Sequence, residues 1–557
     1  MDPSETGLDA TTTIDDTAAT EVAAKSDATT ADATAATKVV QQPGDVGPAK
    51  AEPKDAKAKK PSLIVRNPAT GKVIAELPAI TADDVPAVVA RAREVQPRWE
   101  AIGVHERVRL FKELRKWLYK HEAEFTDTLS REGGKPIEDA FYLEWIYAMS
   151  SLEYWAKVAP KLLKDKRRWA KNRLFVGNST VERHVPHGVV GVIGPWNYPF
   201  VNSVGDVIPA LLAGNSVVLK PASKTPLTSL LIQRGMREVG FPDDVFQVAI
   251  GPGSMGSELV NHVDMIMFTG SEQVGRGIAK QAAERLIPYS LEMGGKDPLI
   301  VLSDADVQKA ADHALYYSFV NGGQTCMSIE RVYVDTLVYD EFVERVLKGF
   351  DKISYGDPAG GVGTVEVGAM TVSSEADNIQ AQVDQAVAQG AKVVRGGKKV
   401  VKADGAVFFE PTVITEVKHG MDIVDEETFG PTMQIMRVEN TEEAIRLAND
   451  NQYGLAAAVY SKDVRRAEAV ARRIQAGTVS INDSLVFWAE LELTLGGWKS
   501  SGAGDGRHGE IGLLKYTKLQ GLFISRAPLK KMPQMFPYGT GSAALKGVTK
   551  FFFKYSR

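Results

Sequence analysis

Between residues 83 and 130, apolar positions recur at helical spacing within dense charge, as in Arg107-Val108-Arg109-Leu110-Phe111-Lys112. This spacing predicts amphipathic helices. Beyond about residue 180 the pattern changes to short β-branched runs separated by helical stretches. Gly188-Val189-Val190-Gly191-Val192-Ile193, Ser216-Val217-Val218-Leu219-Lys220 and Met265-Ile266-Met267-Phe268 read as buried strands. Alternation of strand and helix predicts an α/β fold with a parallel sheet and ligands at the strand ends. A second α/β block runs from about 299 to 500.

Both flanks break the pattern. Residues 1–61 are rich in Ala, Thr, Asp, Lys and Pro, with no aromatic. Such a segment buries too little apolar area to offset its ordering entropy, so it is predicted disordered. Residues 526–557 carry Arg526, Lys530, Lys531, Lys546, Lys550, Lys554 and Arg557, no acid, and the aromatics Phe551, Phe552, Phe553 and Tyr555. A basic aromatic tail suits an anionic membrane surface. It also suits packing on its own protein or a neighbouring subunit, and the sequence leaves both open.

The 557 residues are 44% hydrophobic and 24% charged, with a net charge of −4. That is a globular composition, too near neutral for nucleic acid to be the main partner. The chain has no apolar run of about eighteen residues to span a bilayer and no basic-then-apolar leader. A cytoplasmic location is expected. The single cysteine permits no intrachain disulfide, which fits a reducing compartment.

That cysteine, Cys326, sits in the polar, glycine-rich Asn321-Gly322-Gly323-Gln324-Thr325-Cys326. It reads either as a nucleophile or as a small buried hydrophobe. Glu292, at a predicted strand end before Gly294-Gly295, could take a thiol proton or activate water. Asn197 in Pro195-Trp196-Asn197-Tyr198-Pro199 could donate to an oxyanion. Two loops compete as the phosphate site. One is Gly251-Pro252-Gly253-Ser254-Met255-Gly256, a G-x-G-x-x-G string. The other is Thr269-Gly270-Ser271-Glu272-Gln273-Val274-Gly275 at a helix start. No metal is expected.

These segments, with Lys220-Pro221-Ala222-Ser223, Leu291-Glu292-Met293-Gly294-Gly295-Lys296 and Glu427-Thr428-Phe429-Gly430-Pro431, occur in one order. Over roughly residues 62 to 525 the chain closely resembles the aldehyde dehydrogenase superfamily. The resemblance implies that Cys326 attacks an aldehyde, hydride passes to NAD(P)+, and water hydrolyses the resulting thioester. Glu292 is then the general base. Asn197 and the Cys326 backbone N–H form the oxyanion hole. For the cofactor it implies Lys220 and Ser223 at the adenosine ribose, Trp196, Gly270, Ser271 and Gly275 along the pyrophosphate path, and Glu427 and Phe429 at the nicotinamide end. Many NAD-preferring members carry a glutamate where Ser223 stands, so NADP+ acceptance is expected.

The implied organisation is a Rossmann-like dinucleotide-binding domain (62–167 and 187–298), a catalytic α/β domain (299–512) and a small β oligomerisation arm (168–186 and 513–525). A homodimer or homotetramer follows from the arm. Cys326-Met327-Ser328-Ile329-Glu330-Arg331 and Arg507-His508-Gly509 are similar to the succinate-semialdehyde branch, so that aldehyde or another small-to-medium one is the expected substrate. Asn202 and Gly205 suggest a wide or polar tunnel mouth, and Phe487 and Trp488 an apolar wall. A CoA-acylating enzyme and a non-catalytic dinucleotide-binding scaffold are the alternatives, and both are opposed by an intact Glu292.

Overall fold

The computed structural model describes residues 61–171, 178–484, 486–526, 536 and 540–554. Of the segment expected to be disordered, 1–61, residues 1–60 lie outside them, as do residues 172–177 of the expected arm. The amphipathic stretch after residue 83 forms helices Val85–Ala101, Gly103–Lys120 and Glu122–Gly133. Their apolar faces bury Trp99, Phe111, Leu118 and Phe125 completely. Burying each such side chain contributes about 1.5–3 kcal/mol.

Two open sheets carry the fold. The first contains β1 (Val189–Ile193), β2 (Ser216–Lys220), β3 (Phe246–Val248), β4 (Met265–Thr269) and β5 (Tyr289–Glu292). Their order is β5-β4-β1-β2-β3, all parallel, with the short strand Gly502–Ala503 antiparallel on β5. The nearly unbroken apolar runs expected of strands are covered on both faces by helices. The chain leaves β1 toward β2 and β3, then returns on the other side through β4. Parallel sheets open a ligand crevice at the carboxyl ends where the order reverses in this way.

The second sheet holds β6 (Asp297–Val301), β7 (Ile329–Asp335), β8 (Lys392–Arg395), β9 (Thr412–Thr415), β10 (Thr432–Val438), β11 (Ala456–Tyr460) and β12 (Thr478–Ile481). Its order is β8-β9-β10-β7-β6-β11-β12, with only the β8–β9 pair antiparallel. The chain passes between the sheets in the turn Met293–Lys296, and Asp297 already belongs to the second. A three-stranded antiparallel arm, Lys166–Trp169, Ser179–Pro186 and Thr517–Ile524, stands apart. Helix Thr540–Lys554 ends the described chain. No described helix is long and apolar enough to cross a membrane.

Candidate active site

Helix Val307–Phe319 runs into a tight turn, Val320–Gly323, that delivers Cys326 to the start of β7. Asn321, Gly322 and Gly323 are left-handed, with φ of 55°, 66° and 68°. Glycine adopts this conformation without strain and asparagine tolerates it. A side chain at Gly323 would strike the Gly430 carbonyl, so the cysteine turn is pressed against the segment entering β10. The Asn321 N–H donates to Asp139 Oδ2 (2.9 Å), which pins the turn from the helical layer. Burial, then Glu427, pushes the Cys326 thiol up to about 12, with Arg507 opposing. The sulfur is therefore a neutral thiol that needs a base before it can attack.

Asn197 lies in the loop after β1. Its Nδ2 donates to the Gln324 carbonyl (2.9 Å), and its own carbonyl accepts from Lys135 Nζ (2.8 Å) and Asn321 Nδ2 (3.1 Å). Lys135 is buried and paired with buried Glu144 (2.7 Å), whose second oxygen accepts from the Phe200 N–H (2.8 Å). The Asn197 amide is thus fixed against the cysteine loop, with one N–H left over.

Glu292 closes β5 and is 7% exposed. Burial raises its carboxyl to about 7; Arg507 and Lys515 oppose, and Asp206 adds to the rise. A carboxyl poised near neutrality suits general-base work. Arg507 sits beside it, held to Asp206 by Nε (3.2 Å to each oxygen) and Nη2 (2.7 Å).

Two cavities meet at the thiol. Cys326, Met293 and Asn202 line both. One, about 500 Å³, runs along the carboxyl ends of β1 and β4 past Trp196, Asn197, Gly270, Ser271, Glu427 and Phe429. Ser271 immediately precedes the 13-residue helix Glu272–Glu284, whose N-terminus favours an anion. The Phe429 ring meets Trp196 edge-on at 5.3 Å. Glu427 accepts the Gly295 N–H (3.1 Å), and burial followed by Glu330 raises it to about 8. Lys220, Ser223 and Gly275 are not among the residues that line this cavity. Lys220 is buried with its Nζ on the Pro221 carbonyl (3.1 Å), Gly256 packs on its stem, and Ser223 donates to the Gly251 carbonyl (3.0 Å). Of the two competing glycine loops, 269–271 lines the cleft, and 251–256 packs against Lys220 and Ser223. A cleft with a helix N-terminus and small residues fits a dinucleotide.

The second cavity is a narrow slot of about 80 Å³ between Cys326 and the outside, lined by Glu292, Leu143, Val320, Phe487, Trp488 and neighbours. The expected polar mouth is corrected here. Asn202 lines the slot, but its Oδ1 accepts from Arg507 (2.8 Å), and the space a side chain would fill at Gly205 is taken by Tyr147. Phe487 and Trp488 do form its wall, and Phe487 also packs into the core below β7.

Residues 55–522 match the model of the aldehyde dehydrogenase family. The chain belongs to that family. It is an NAD(P)-dependent aldehyde dehydrogenase and oxidises an aldehyde to the carboxylic acid. Among its relatives, a Mycolicibacterium smegmatis protein provisionally named an NADP-dependent succinate-semialdehyde dehydrogenase is 40% identical, covering 82% of this chain and 87% of the relative. The 4,4'-diapolycopene aldehyde oxidase of a Methylomonas species is 36% identical, covering 87% and 90%. The crystal structure of a Mycobacterium tuberculosis aldehyde dehydrogenase complexed with NAD+ superposes with a TM-score of 0.79 at 32% identity, covering 85% and 96%.

Several residues of this dehydrogenase carried no role in the sequence reading. Lys135 and Glu144 orient Asn197. Lys296 pairs with Glu330, whose two oxygens accept the Thr428 (3.0 Å) and Phe429 (3.2 Å) N–H groups and so hold the turn before β10. The Gly133-Gly134-Lys135-Pro136 punctuation was the one local signal for the first pair.

Proposed function

We propose that Cys326 is the nucleophile, Glu292 the general base, and Asn197 with the Cys326 backbone N–H the oxyanion hole. The carrying observation is that Cys326 stands where an apolar slot holding Glu292 meets a dinucleotide-sized cleft holding Asn197. Glu292 accepts the thiol proton, and Sγ adds to the aldehyde carbon. The former carbonyl oxygen becomes an alkoxide facing the Asn197 amide. A dinucleotide held in the cleft would supply the acceptor for the hydride that this carbon loses on becoming the thioester carbonyl. Glu292, having returned its proton to solvent, then takes a proton from water. The hydroxide so formed attacks the thioester, and Cys326 leaves as thiolate. A carboxylate poised beside the thiol favours water over CoA as acceptor.

Lys220, Ser223, Trp196, Gly270, Ser271, Gly275, Glu427 and Phe429 are assigned to the dinucleotide. NADP+ preference is supported by Ser223, which places no carboxylate at the ribose, and by the neighbouring exposed Lys224. Exposed Trp169 and Leu519 on the arm support assembly into a homodimer or homotetramer. Helix Thr540–Lys554 carries Lys546, Lys550 and Lys554 at four-residue spacing beside exposed Val548 and Phe551, which supports peripheral contact with an anionic membrane.

The test is NADP+ and NAD+ reduction over an aldehyde panel, with Cys326→Ala in parallel. Cysteine-dependent turnover to the free acid is expected. Turnover that survives Cys326→Ala, or that requires CoA, refutes the assignment.

A further inference from the structure

The names of the relatives offer two chemically opposite aldehydes, one ending in a carboxylate and one a polyene. The slot above Cys326 distinguishes between them. Its wall is built largely from Leu143, Val320, Met327, Leu455, Phe487 and Trp488. Among the described lining residues Arg507 is the one cation, and Glu292 is an acid in the same wall.

Arg507 is not free to receive a carboxylate. Its Nε and Nη2 hold Asp206, Nη2 also donates to Thr269 Oγ1, and Nη1 donates to Asn202 Oδ1 (2.8 Å). Four of its five N–H donors are thus turned into the protein. Asp206 is 4% exposed and already balances the charge. Lys515, the other buried cation nearby, points to Ser290 Oγ (3.1 Å) and Met267 and does not line the slot. A substrate carboxylate entering here would lose its water, meet a neutralised guanidinium and face Glu292. Burying an unpaired charge in this way is strongly unfavourable. A hydrocarbon chain loses nothing and gains by leaving water.

We infer that this dehydrogenase takes unbranched apolar aldehydes, with the hydrocarbon chain threaded through the slot, in preference to semialdehydes that end in a carboxylate. The inference rests on the assignment of Cys326 as nucleophile, since that fixes which end of the slot holds the reacting carbon. The narrowness of the slot favours a linear chain over a bulky one.

Pentanal and succinic semialdehyde are nearly the same length and differ beyond the second methylene, an ethyl group against a carboxylate. Steady-state kcat/KM is measured for both, and for the series butanal to decanal, at saturating NADP+, with Cys326→Ala alongside. Pentanal is expected to exceed succinic semialdehyde by more than tenfold. Along the series, kcat/KM is expected to rise about fourfold per methylene while the chain remains enclosed. Cysteine-dependent turnover in which succinic semialdehyde equals or exceeds pentanal overturns this inference and leaves the nucleophile assignment standing. Turnover that persists in Cys326→Ala overturns the assignment, and the inference with it.

Discussion

Glu292→Gln should make the dehydrogenase more stable in alkali while disabling it. The Glu292 carboxyl is moved from an ordinary 4.5 to about 7, chiefly by burial. At about 1.4 kcal/mol per pKa unit, ionising it costs the folded chain ~3 kcal/mol relative to the unfolded chain. The sign follows from linkage. Below about pH 4.5 the group is protonated in both states and nothing is lost. As pH rises from there toward 7, the unfolded chain ionises first, and the folded state loses stability until its own carboxyl ionises. Glutamine has no such titration and can still accept the Gly497 backbone N–H that Glu292 accepts. The difference between variant and parent should therefore be near zero at pH 4.5 and grow to ~3 kcal/mol in favour of the variant at pH 8. Urea unfolding of the cofactor-free proteins at pH 5, 6, 7 and 8 reads it directly. A difference that is flat with pH, or that favours the parent at pH 8, refutes the argument. The same variant should lose both the first-turnover formation of reduced dinucleotide and steady-state turnover, because Glu292 serves the thiol as well as the water and loss of a general base typically costs 10²–10⁴-fold.

Arg507→Gln and Asp206→Asn should move the acid limb of the pH–rate profile in opposite directions, alkaline for the first and acid for the second. Arg507 favours ionised Glu292 and Asp206 disfavours it. Each single change strands one member of a buried pair at a cost of about 3–5 kcal/mol, and thermal melting of the double variant should recover most of that loss. Asn197→Ala should lower kcat/KM by roughly 10²–10³ at nearly unchanged dinucleotide affinity, measured by fluorescence quenching. An equal loss in affinity would count against an oxyanion role. Ser223→Glu should shift the NADP+/NAD+ ratio of kcat/KM at least tenfold toward NAD+, since a carboxylate beside Lys220 repels the 2′-phosphate.

The strands and the placement of Glu292, Asn197 and Glu427 were legible because each stands at a strand end or short turn marked by Gly or Pro. β-branched runs specify the strands, and glycine punctuation specifies where the chain can turn tightly enough to present a side chain. What held those side chains still was not legible. Asp206 and Arg507 are 301 residues apart, Asp139 and Asn321 182, and Lys135 and Asn197 62. No local pattern announces such pairs. The misreading of Asn202 and Gly205 has the same root. A small or polar residue opens a lumen only if nothing distant fills it, and here Arg507 and Tyr147 do.

The buried charges divide in a way that only the assembled structure displays. Glu144, Glu330 and Asp206 are each paired with a buried cation, Lys135, Lys296 and Arg507. These pairs fix the Asn197 loop, the Phe429 turn and the floor beneath Glu292. Glu292 and Glu427 have no such partner among the described residues; they accept backbone N–H groups, and burial raises both. Pairing Glu292 with its own lysine would hold it ionised far below neutrality and weaken it as a base. Leaving it unpaired without the neighbouring Asp206–Arg507 pair would raise it further and keep it protonated when water must be activated. The cation therefore stands in the same wall, shared with Asp206, and opposes the effect of burial without cancelling it. The same sharing consumes the one guanidinium in the slot, so tuning of the base and exclusion of carboxylate-bearing aldehydes follow from a single ion pair.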